Sequence, residues 1–461
     1  MTELDLARLQ FATTTIYHFL FVPLTIGLAF LVALLQTAWT RRGDEVYLRL
    51  TKFFGTLLVI NIAIGVVTGL VQEFQFGMNW SAYSRYVGDV FGAPLAIEGL
   101  AAFFLESTFL GLWVFGWGRL SKRVHLLTIW AVAIGTVLSA AFIMAANSWM
   151  QHPVGYTQRN GRAQLSDFCA VMSNPVFGWG FVHVLLASLI TGGAVMLAVS
   201  AWHLKRDSHT EVFHRTAKLS IIVLLPATLL AMMVGSQLGV IEDRYQPMKI
   251  AAAEAQWETC QPCSFSAFQI GGGTRDENPN KVIAVPHLLS VLATGTWNGK
   301  VQGLNQVNAQ YQQQYGPGDY VPNVFIQYWS MRVMAYLATL VLLQSLWGVW
   351  LLWRGRLRSA KWFLRIAVWT VVLPFAMNTA GWLLTENGRQ PWIVQGLQLT
   401  KAGVSPSVGA ATVATSLGVF VVLYAVLGVV DGALMVRYAR IEPAPAPPVG
   451  EDGRETPAMT Y

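Results

Sequence analysis

The segment VFGWGFVHVLLASLITGGAVMLAVSAW, residues 176–202, contains no Asp, Glu, Lys or Arg. An uncharged apolar run of this length can cross the hydrocarbon core of a membrane as a helix, whereas a buried helix of a soluble domain needs only a shorter run. The whole chain has the same character, since 54% of its 461 residues are hydrophobic and 12% are charged. That charged share is about half of the usual value for a soluble domain. The sequence therefore argues against soluble enzymes, nucleic-acid binders and disordered scaffolds.

Eight further long, predominantly apolar runs predict additional membrane-spanning helices. The nine predicted spans are 12–38, 53–71, 92–117, 124–149, 176–202, 219–241, 325–353, 363–384 and 406–430. The first run is too long for a signal peptide and lacks a small-residue cleavage site before Arg41, so it predicts a mature helix. The predicted fold class is an all-α integral membrane protein with nine transmembrane helices.

Lysine and arginine residues collect on one side of this arrangement. Of the 31 basic residues, 19 lie in the connections between spans 1 and 2, 3 and 4, 5 and 6, and 7 and 8, and in the C-terminal tail. They are Arg41, Arg42, Arg49, Lys52, Arg119, Lys122, Arg123, Lys205, Arg206, Arg215, Lys218, Arg354, Arg356, Arg358, Lys361, Arg365, Arg437, Arg440 and Arg454. Because cytoplasmic connections carry the basic excess, we expect the N-terminus outside and the C-terminus inside. The net charge of +7 then reports topology and requires no nucleic-acid partner.

These features divide the chain into four parts. Residues 1–241 hold helices 1–6 and residues 325–436 hold helices 7–9. Between them, 242–324 is a polar, outside-facing connection that is far longer than connections normally are without a function. The Pro-rich residues 437–461 predict a disordered cytoplasmic tail.

All three cysteines lie in connections predicted to face outside. An oxidising compartment allows disulfides, and Cys260 with Cys263 is the favoured pair because the two are close in sequence. A zinc site is less favoured because no second Cys pair is near, and a free thiol, as at Cys169, stays open.

Few titratable residues lie inside the spans, where charge is costly and usually functional. Together with a methionine and a glutamate at the end of span 8, they fall in one layer near the predicted outer surface. The layer contains His18, Glu98, His183, Arg332, Met334 and Glu386. Histidine and methionine are haem axial ligands, so a His183–Met334 pair predicts a six-coordinate iron, and His18 predicts a five-coordinate iron that can bind a gas. Taken singly, each histidine could equally be a helix-packing residue, and Met334 alone is more typical of core packing.

Glu98 and Glu106 are eight residues apart, about 12 Å along a helix and roughly 80° around it. They therefore step inward on nearly one side, and Ser107 and Ser139 could extend a hydrogen-bonded proton path from the cytoplasm. The same carboxylates would also suit a proton-coupled transporter without haem.

Several strings resemble subunit I of the cytochrome bd-type quinol oxidases. The most specific is GWLLTENGRQPWIV, residues 381–394, which is similar to that family's Trp-x-x-x-Glu-x-Gly-Arg-Gln-Pro-Trp signature. Five further matches occur in the same order as in the family. They are His18, EGLAAFFLES at 98–107, His183, QPMKIAAAE at 246–254 and Met-Arg-Val-Met at 331–334. The resemblance covers essentially the whole membrane region.

The resemblance implies three haems. His183 and Met334 would be the axial ligands of a low-spin haem b, with Arg332 near it. A high-spin haem b and a haem d would be served by His18 and Glu386, in an order left open. The remaining residues implied at this haem cluster are Glu98, Trp382 and Arg389.

The resemblance also implies a substrate site and partners. Lys249 and Glu254 would contact membrane quinol in the loop 242–324, and Glu106, Ser107 and Ser139 would belong to a proton channel. Dioxygen would be reduced to water in a bacterial cytoplasmic membrane, with a second multispan subunit and small single-span subunits as partners. The loop is of the short type, and GVIEDRYQPMK, residues 239–249, is shorter than in some members, so the choice between ubiquinol and menaquinol stays open. A haem-b electron-transfer subunit without an oxygen site is the remaining alternative.

Overall fold

The computed structural model describes residues 2–277 and 279–443, and the predicted tail from 444 onward lies outside these ranges. The helices are α1 (Glu3–Arg42), α2 (Glu45–Met78), α3 (Ser81–Ile97), α4 (Phe104–Phe115), α5 (Lys122–Gln151), α6 (Phe168–Met172), α7 (Pro175–Leu204), α8 (Thr210–Tyr245), α9 (Pro247–Ala253), α10 (Leu288–Thr294), α11 (Leu304–Tyr315), α12 (Val324–Trp353), α13 (Lys361–Trp369), α14 (Val372–Gly388) and α15 (Ala410–Arg440). The strands are β1 (Tyr156–Arg159), β2 (Arg162–Leu165), β3 (Phe265–Ile270), β4 (Asn280–Val285), β5 (Trp392–Val394) and β6 (Gln398–Leu399), paired as three antiparallel hairpins.

Within the described residues, nine helical segments are long and apolar enough to cross a membrane. They are α1, α2, α3 with α4, α5, α7, α8, α12, α13 with α14, and α15. The predicted number and order of spans are therefore confirmed, and the chain is an all-helical, multi-pass membrane protein. The loop side is defined here as the side on which residues 246–323 and 389–409 lie.

Small residues let the central helices approach closely. A Cβ atom on Gly27 of α1 would lie 2.1 Å from the Ser188 carbonyl oxygen of α7, and Gly192 faces Gly27 in the same crossing. Helices in membranes associate through such contacts because lipid supplies no hydrophobic driving force between them. The main apolar core surrounds this crossing and extends to α2, α4, α5, α8 and α12.

Two spans depart from regular α-helix. A six-residue π-helical turn, Glu98–Phe103, joins α3 to α4, and the eighth span is interrupted between α13 and α14 at Thr370 and Val371. The Thr370 hydroxyl donates to Gln344 Oε1 at 2.6 Å inside the protein, which stabilises that break. π-helical turns are frequent at functional sites, and this one begins at a residue of the predicted layer.

The long connection is folded rather than extended. Short helices α9, α10 and α11 and the β3–β4 hairpin fill it, and it buries a core of its own that includes Met248, Tyr311, Tyr328 and Trp392. The predicted disulfide between Cys260 and Cys263 is present, and Cys169 is a free, exposed thiol. The preceding helix α8 continues to Tyr245, so the span ends four residues later than the predicted 241.

Candidate functional site

A cavity of about 1000 Å³ lies among α1, α2, α3, α4, α5 and α14. It is lined by seven of the residues singled out in the sequence, drawn from five helical segments and the motif after α14. They are His18, Glu98, Glu106, Ser139, Trp382, Glu386 and Arg389. The structure therefore brings three of the six residues of the predicted layer, His18, Glu98 and Glu386, into one cavity.

The His18 ring is held in a defined tautomer. Thr68 Oγ1 lies 2.9 Å from the Gly65 carbonyl oxygen and 3.1 Å from that of Ile64, so its one proton is donated to the backbone of α2. The same oxygen lies 3.0 Å from His18 Nδ1 and accepts its proton. His18 Nε2 then carries a lone pair, which is the form that binds a metal, with the threonine orienting the ring.

Glu98 and Glu106 occupy the π-helical turn and the first turn of α4. Ser139 of α5 donates to Glu98 Oε1 at 2.6 Å, which connects two residues that the sequence placed on one path. Thr136, one turn before Ser139, also lines the cavity. Ser107 lies outside the lining, exposed, with its hydroxyl 3.4 Å from the Phe104 carbonyl oxygen, and its role in proton transfer stays a prediction.

Glu386 is fixed from two directions. Asn147 Nδ2 donates to its Oε1 atom at 2.8 Å, and Arg389 Nη2 forms an ion pair with Oε2. The other terminal nitrogen of Arg389 donates to the Ile393 carbonyl oxygen, while its Nε atom is buried without a hydrogen-bond partner. After the Gln-Pro-Trp part of the motif, the chain turns back so that the Ile393 carbonyl oxygen binds Arg389. Arg389 in turn binds Glu386.

His183 and Met334 are not among the residues that line this cavity. The His183 ring packs against Gly235 of α8, where a Cβ would lie 3.1 Å from Cε1, and its Nδ1 atom is buried without a hydrogen-bond partner. Met334 Sδ lies 3.4 Å from the position of a Cβ on Gly381. Trp382, the residue after Gly381, lines the large cavity.

Arg332 is engaged entirely by protein groups. Its guanidinium forms a bidentate pair with Glu254, at 2.7 Å and 3.1 Å, and donates to the carbonyl oxygens of Ala253 at 2.5 Å and Ser266 at 2.6 Å and 3.1 Å. All five donors of the fork are therefore used. Arg332 and Glu254 are 1% and 2% exposed. Burial raises the pKa of the Glu254 carboxyl, and the adjacent guanidinium opposes that rise.

Lys249 lies at the junction of the long connection with the membrane helices. It is 1% exposed, and its Nζ atom donates to Gln151 Oε1 at 2.6 Å and to Glu242 Oε1 at 3.0 Å. Its aliphatic stem passes Gly388, where a Cβ would lie 2.5 Å from Lys249 Cγ and 2.3 Å from Gln327 Nε2. The glycine of the Glu-Asn-Gly-Arg string is thus required by this close approach.

Sequence reasoning missed several residues of the cavity. Glu73 lines it from α2, although the predicted second span ended at residue 71 and left this glutamate outside the membrane list. Thr68 and Asn147 bind His18 and Glu386. Because uncharged Thr and Asn are common in helices, nothing in a single sequence distinguishes Thr68 and Asn147 from other such residues. A longer predicted second span would have included Glu73.

The fold and this site define an all-helical, multi-pass membrane protein with a cavity that is lined by carboxylates and a histidine. A family model described as cytochrome bd terminal oxidase subunit I matches residues 6–443. The chain belongs to this family, as the resemblance of its motifs predicted.

Individual relatives match over nearly their full length. Cytochrome bd ubiquinol oxidase subunit 1 of Bacillus subtilis is 47% identical, over 95% of this chain and 93% of that protein. Cytochrome bd-II ubiquinol oxidase subunit 1 of Escherichia coli is 36% identical, over 96% and 97%. The structure of bd oxidase from Geobacillus thermodenitrificans superposes with a TM-score of 0.87 at 29% identity, covering 95% of this chain and 98% of that one.

Proposed function

We propose that this chain is the subunit of a terminal oxidase that oxidises membrane quinol and reduces dioxygen to water in the bacterial cytoplasmic membrane. Its relatives are named as quinol oxidase subunits. The observation that carries the proposal is the large cavity, where His18, with its Nε2 lone pair free, lies together with four glutamates, Glu73, Glu98, Glu106 and Glu386. A site of this composition can hold an iron cofactor and deliver protons to it.

The residues fit haem. His183, with its buried and unpartnered Nδ1 atom, and Met334 would hold a low-spin haem b. His18 and Glu386 would hold a high-spin haem b and a haem d, with Glu98, Trp382 and Arg389 beside them. When bound, these groups supply the electron transfer and the reduction of oxygen.

The carboxylates of the cavity handle protons. Glu106 receives protons from the side opposite the loop side, and Ser139, hydrogen-bonded to Glu98, connects the two glutamates along the α4–α5 interface. Quinol oxidation on the loop side releases protons there. Because uptake and release are on different sides, proton-motive force is generated without a pump.

The quinol is oxidised at the folded connection 242–324. Lys249, the ion-pair partner of Glu242, lies beside Gly388, two residues from the cavity residue Glu386, so the quinol region and the haem region adjoin. Glu254 is held by Arg332 and fixes the position of α9, which carries Lys249. Contact of Glu254 with quinol requires that this ion pair opens.

A second multispan subunit completes the oxidase, and small single-span subunits accompany it. In support, the third span is the most open one: Leu100, Phe104 and Phe115 are 73%, 59% and 61% exposed along a segment that also carries the functional Glu98 and Glu106. A proton path bordered on one side by lipid would leave charge unshielded, so protein is expected to cover this face.

A visible spectrum and an oxygen-uptake assay on the purified complex test the proposal. We expect reduced-minus-oxidised bands of haem b and haem d together with oxygen uptake driven by quinol. Absence of any Soret absorption would indicate a proton-coupled transporter. Haem b bands without haem d and without oxygen uptake would indicate an electron-transfer subunit, and either result would overturn the proposal.

A further inference from the structure

The β3–β4 hairpin has its apolar residues on the outside. Phe268, Ile270, Val282, Ile283 and Val285 are between 36% and 63% exposed, and Phe268 is paired with Ile283 across the hairpin. A strand pair on a soluble surface shows the opposite pattern, with apolar residues toward the core and polar residues toward water. The outward face of this hairpin is therefore suited to an apolar environment.

The polar residues of β3 point toward the protein, whereas Asn280 of β4 is exposed opposite Ile270. Ser266 and Gln269 are buried, and Ser266 accepts hydrogen bonds from Arg332 through its carbonyl oxygen. Lys281 Nζ lies 3.3 Å from Gln256 Oε1, and burial lowers the pKa of this lysine while Glu254 opposes the change. The inward face is thus attached to the Arg332–Glu254 pair, and the hairpin cannot turn its apolar face inward without breaking these contacts.

The hairpin is attached to α12 in the part of that helix nearest the loop side. The Tyr336 hydroxyl donates to the Ala267 carbonyl oxygen, and Tyr336 lies twelve residues after the start of α12, about 18 Å along its axis. The 30 residues of α12 extend about 45 Å, roughly 15 Å more than the hydrocarbon core needs. If the helix protrudes on the loop side, Tyr336 lies at the interface, where tyrosine is favoured.

An exposed apolar stripe on α12 continues from this attachment point. Val333, Tyr336, Leu340 and Leu343 recur at intervals of three and four residues, hence on one helix face, and are 39% to 57% exposed. This stripe runs into the membrane-spanning part of α12, so the outward face of the hairpin is continuous with a surface that meets lipid. The turn residues Thr274–Glu277 are polar and exposed, so the hairpin lies along the interface rather than entering tip first.

We propose that the β3–β4 hairpin is a membrane-interface element whose outward face, centred on Ile283 and Ile270, rests in the acyl chains of the leaflet on the loop side. The occupant of this surface is lipid. The hairpin thereby anchors the connection 242–324 to the membrane at a point directly attached to Arg332 and Glu254.

Lipid contact can be measured directly with a bimane label on the complete complex in nanodiscs. In a Cys169→Ser background, the label is placed at Ile283→Cys. Leu343→Cys, on the exposed stripe of α12, is the lipid-facing reference, and Gln313→Cys, exposed on α11, is the water-facing reference. An unchanged visible spectrum of each variant verifies that the fold is retained.

Phospholipids brominated near the head of the acyl chain should quench the label at residue 283 to a similar extent as at residue 343, and leave the label at 313 unaffected. Aqueous iodide should quench only the label at 313. Quenching of residue 283 by iodide would place the hairpin in water, and quenching by neither reagent would show that protein covers it. Either outcome overturns the proposal, and neither depends on whether the complex oxidises quinol.

Discussion

The orientation of the His18 ring depends on a residue that has no charge and no metal chemistry of its own. Thr68 donates its only proton to the backbone and therefore accepts from Nδ1. We predict that Thr68→Val removes this orientation and lowers the affinity for the high-spin cofactor about 10–100-fold. The measurement is haem content and the high-spin absorption bands. Thr228→Val, which removes a buried hydroxyl bonded only to its own helix, is the matched control, and equal effects of both variants would contradict the role of Thr68.

A substitution of Met334 tests the predicted low-spin haem site. Its thioether lies against Gly381, so leucine, of similar size, should fit the space without a large packing cost. We predict that Met334→Leu abolishes or shifts the low-spin haem b bands, because a thioether ligand is lost, and leaves the high-spin bands in place. An unchanged reduced-minus-oxidised spectrum would show that Met334 is a packing residue.

From the sequence, ionisable residues that are rare in membranes could be predicted as functional. The residues that form hydrogen bonds to them could not. His18, Glu98 and Glu106 are conspicuous because ionisable groups seldom lie in an apolar run, and all three line the cavity. Thr68 and Asn147 act through three-dimensional contacts with residues 50 and 239 positions away. No local pattern encodes such distant pairings.

Among the elements, α12 and the long connection are joined by the buried pair of Arg332 and Glu254. We predict that Arg332→Gln loosens α9 and β3, because a buried carboxylate left without its partner costs about 3–5 kcal/mol. Hydrogen exchange of the α9 and β3 amides should accelerate accordingly. Arg332→Lys should have an intermediate effect, since lysine keeps the charge but not the bidentate geometry.

Arg244→Gln provides the control, because Arg244 is exposed and close in sequence to α9. It should leave exchange in α9 unchanged. If Arg332→Gln shifted the low-spin haem bands but left the exchange of α9 and β3 as in the parent protein, the expected position of Arg332 beside a haem would be supported and its role as an anchor would be wrong.

The apolar runs in the sequence predicted the spanning helices. They did not predict the irregular turns within those helices. The π-helical turn at Glu98–Phe103 and the break after Trp369 occur inside runs whose hydrophobicity is continuous. Both are stabilised by tertiary contacts, such as the hydrogen bond from Thr370 to Gln344. The ends of α2 and α8 extend past the apolar stretches because polar residues continue the helix beyond the predicted span, which is how Glu73 was missed.

For the whole molecule, sequence pattern predicted nine spans and one long connection, and the structure adds how they are combined. The connection is a folded layer with its own buried core, and Trp392 of the Gly-Arg-Gln-Pro-Trp string is part of that core. The same string therefore supports the cavity through Glu386 and Arg389 and the connection through Trp392. A motif recognised as one unit in the sequence joins two regions of the molecule.

Cleavage of the connection 242–324 tests whether quinol oxidation depends on the connection and the haem cavity does not. A protease site inserted after Arg275, in the exposed turn between β3 and β4, should on cleavage lower quinol oxidation about tenfold or more, equivalent to ~1.4 kcal/mol. This follows from the proposal that quinol is oxidised at the folded connection. Haem bands and oxygen uptake with an artificial electron donor should persist, because the cavity is built from α1, α2, α3, α4, α5 and α14. The same insertion after Asn160, in the exposed β1–β2 turn, is the control and should leave both activities intact. Quinol oxidation that survived cleavage at 275 would place the quinol site outside the connection, whereas loss of both activities would show that the connection also maintains the haem cavity.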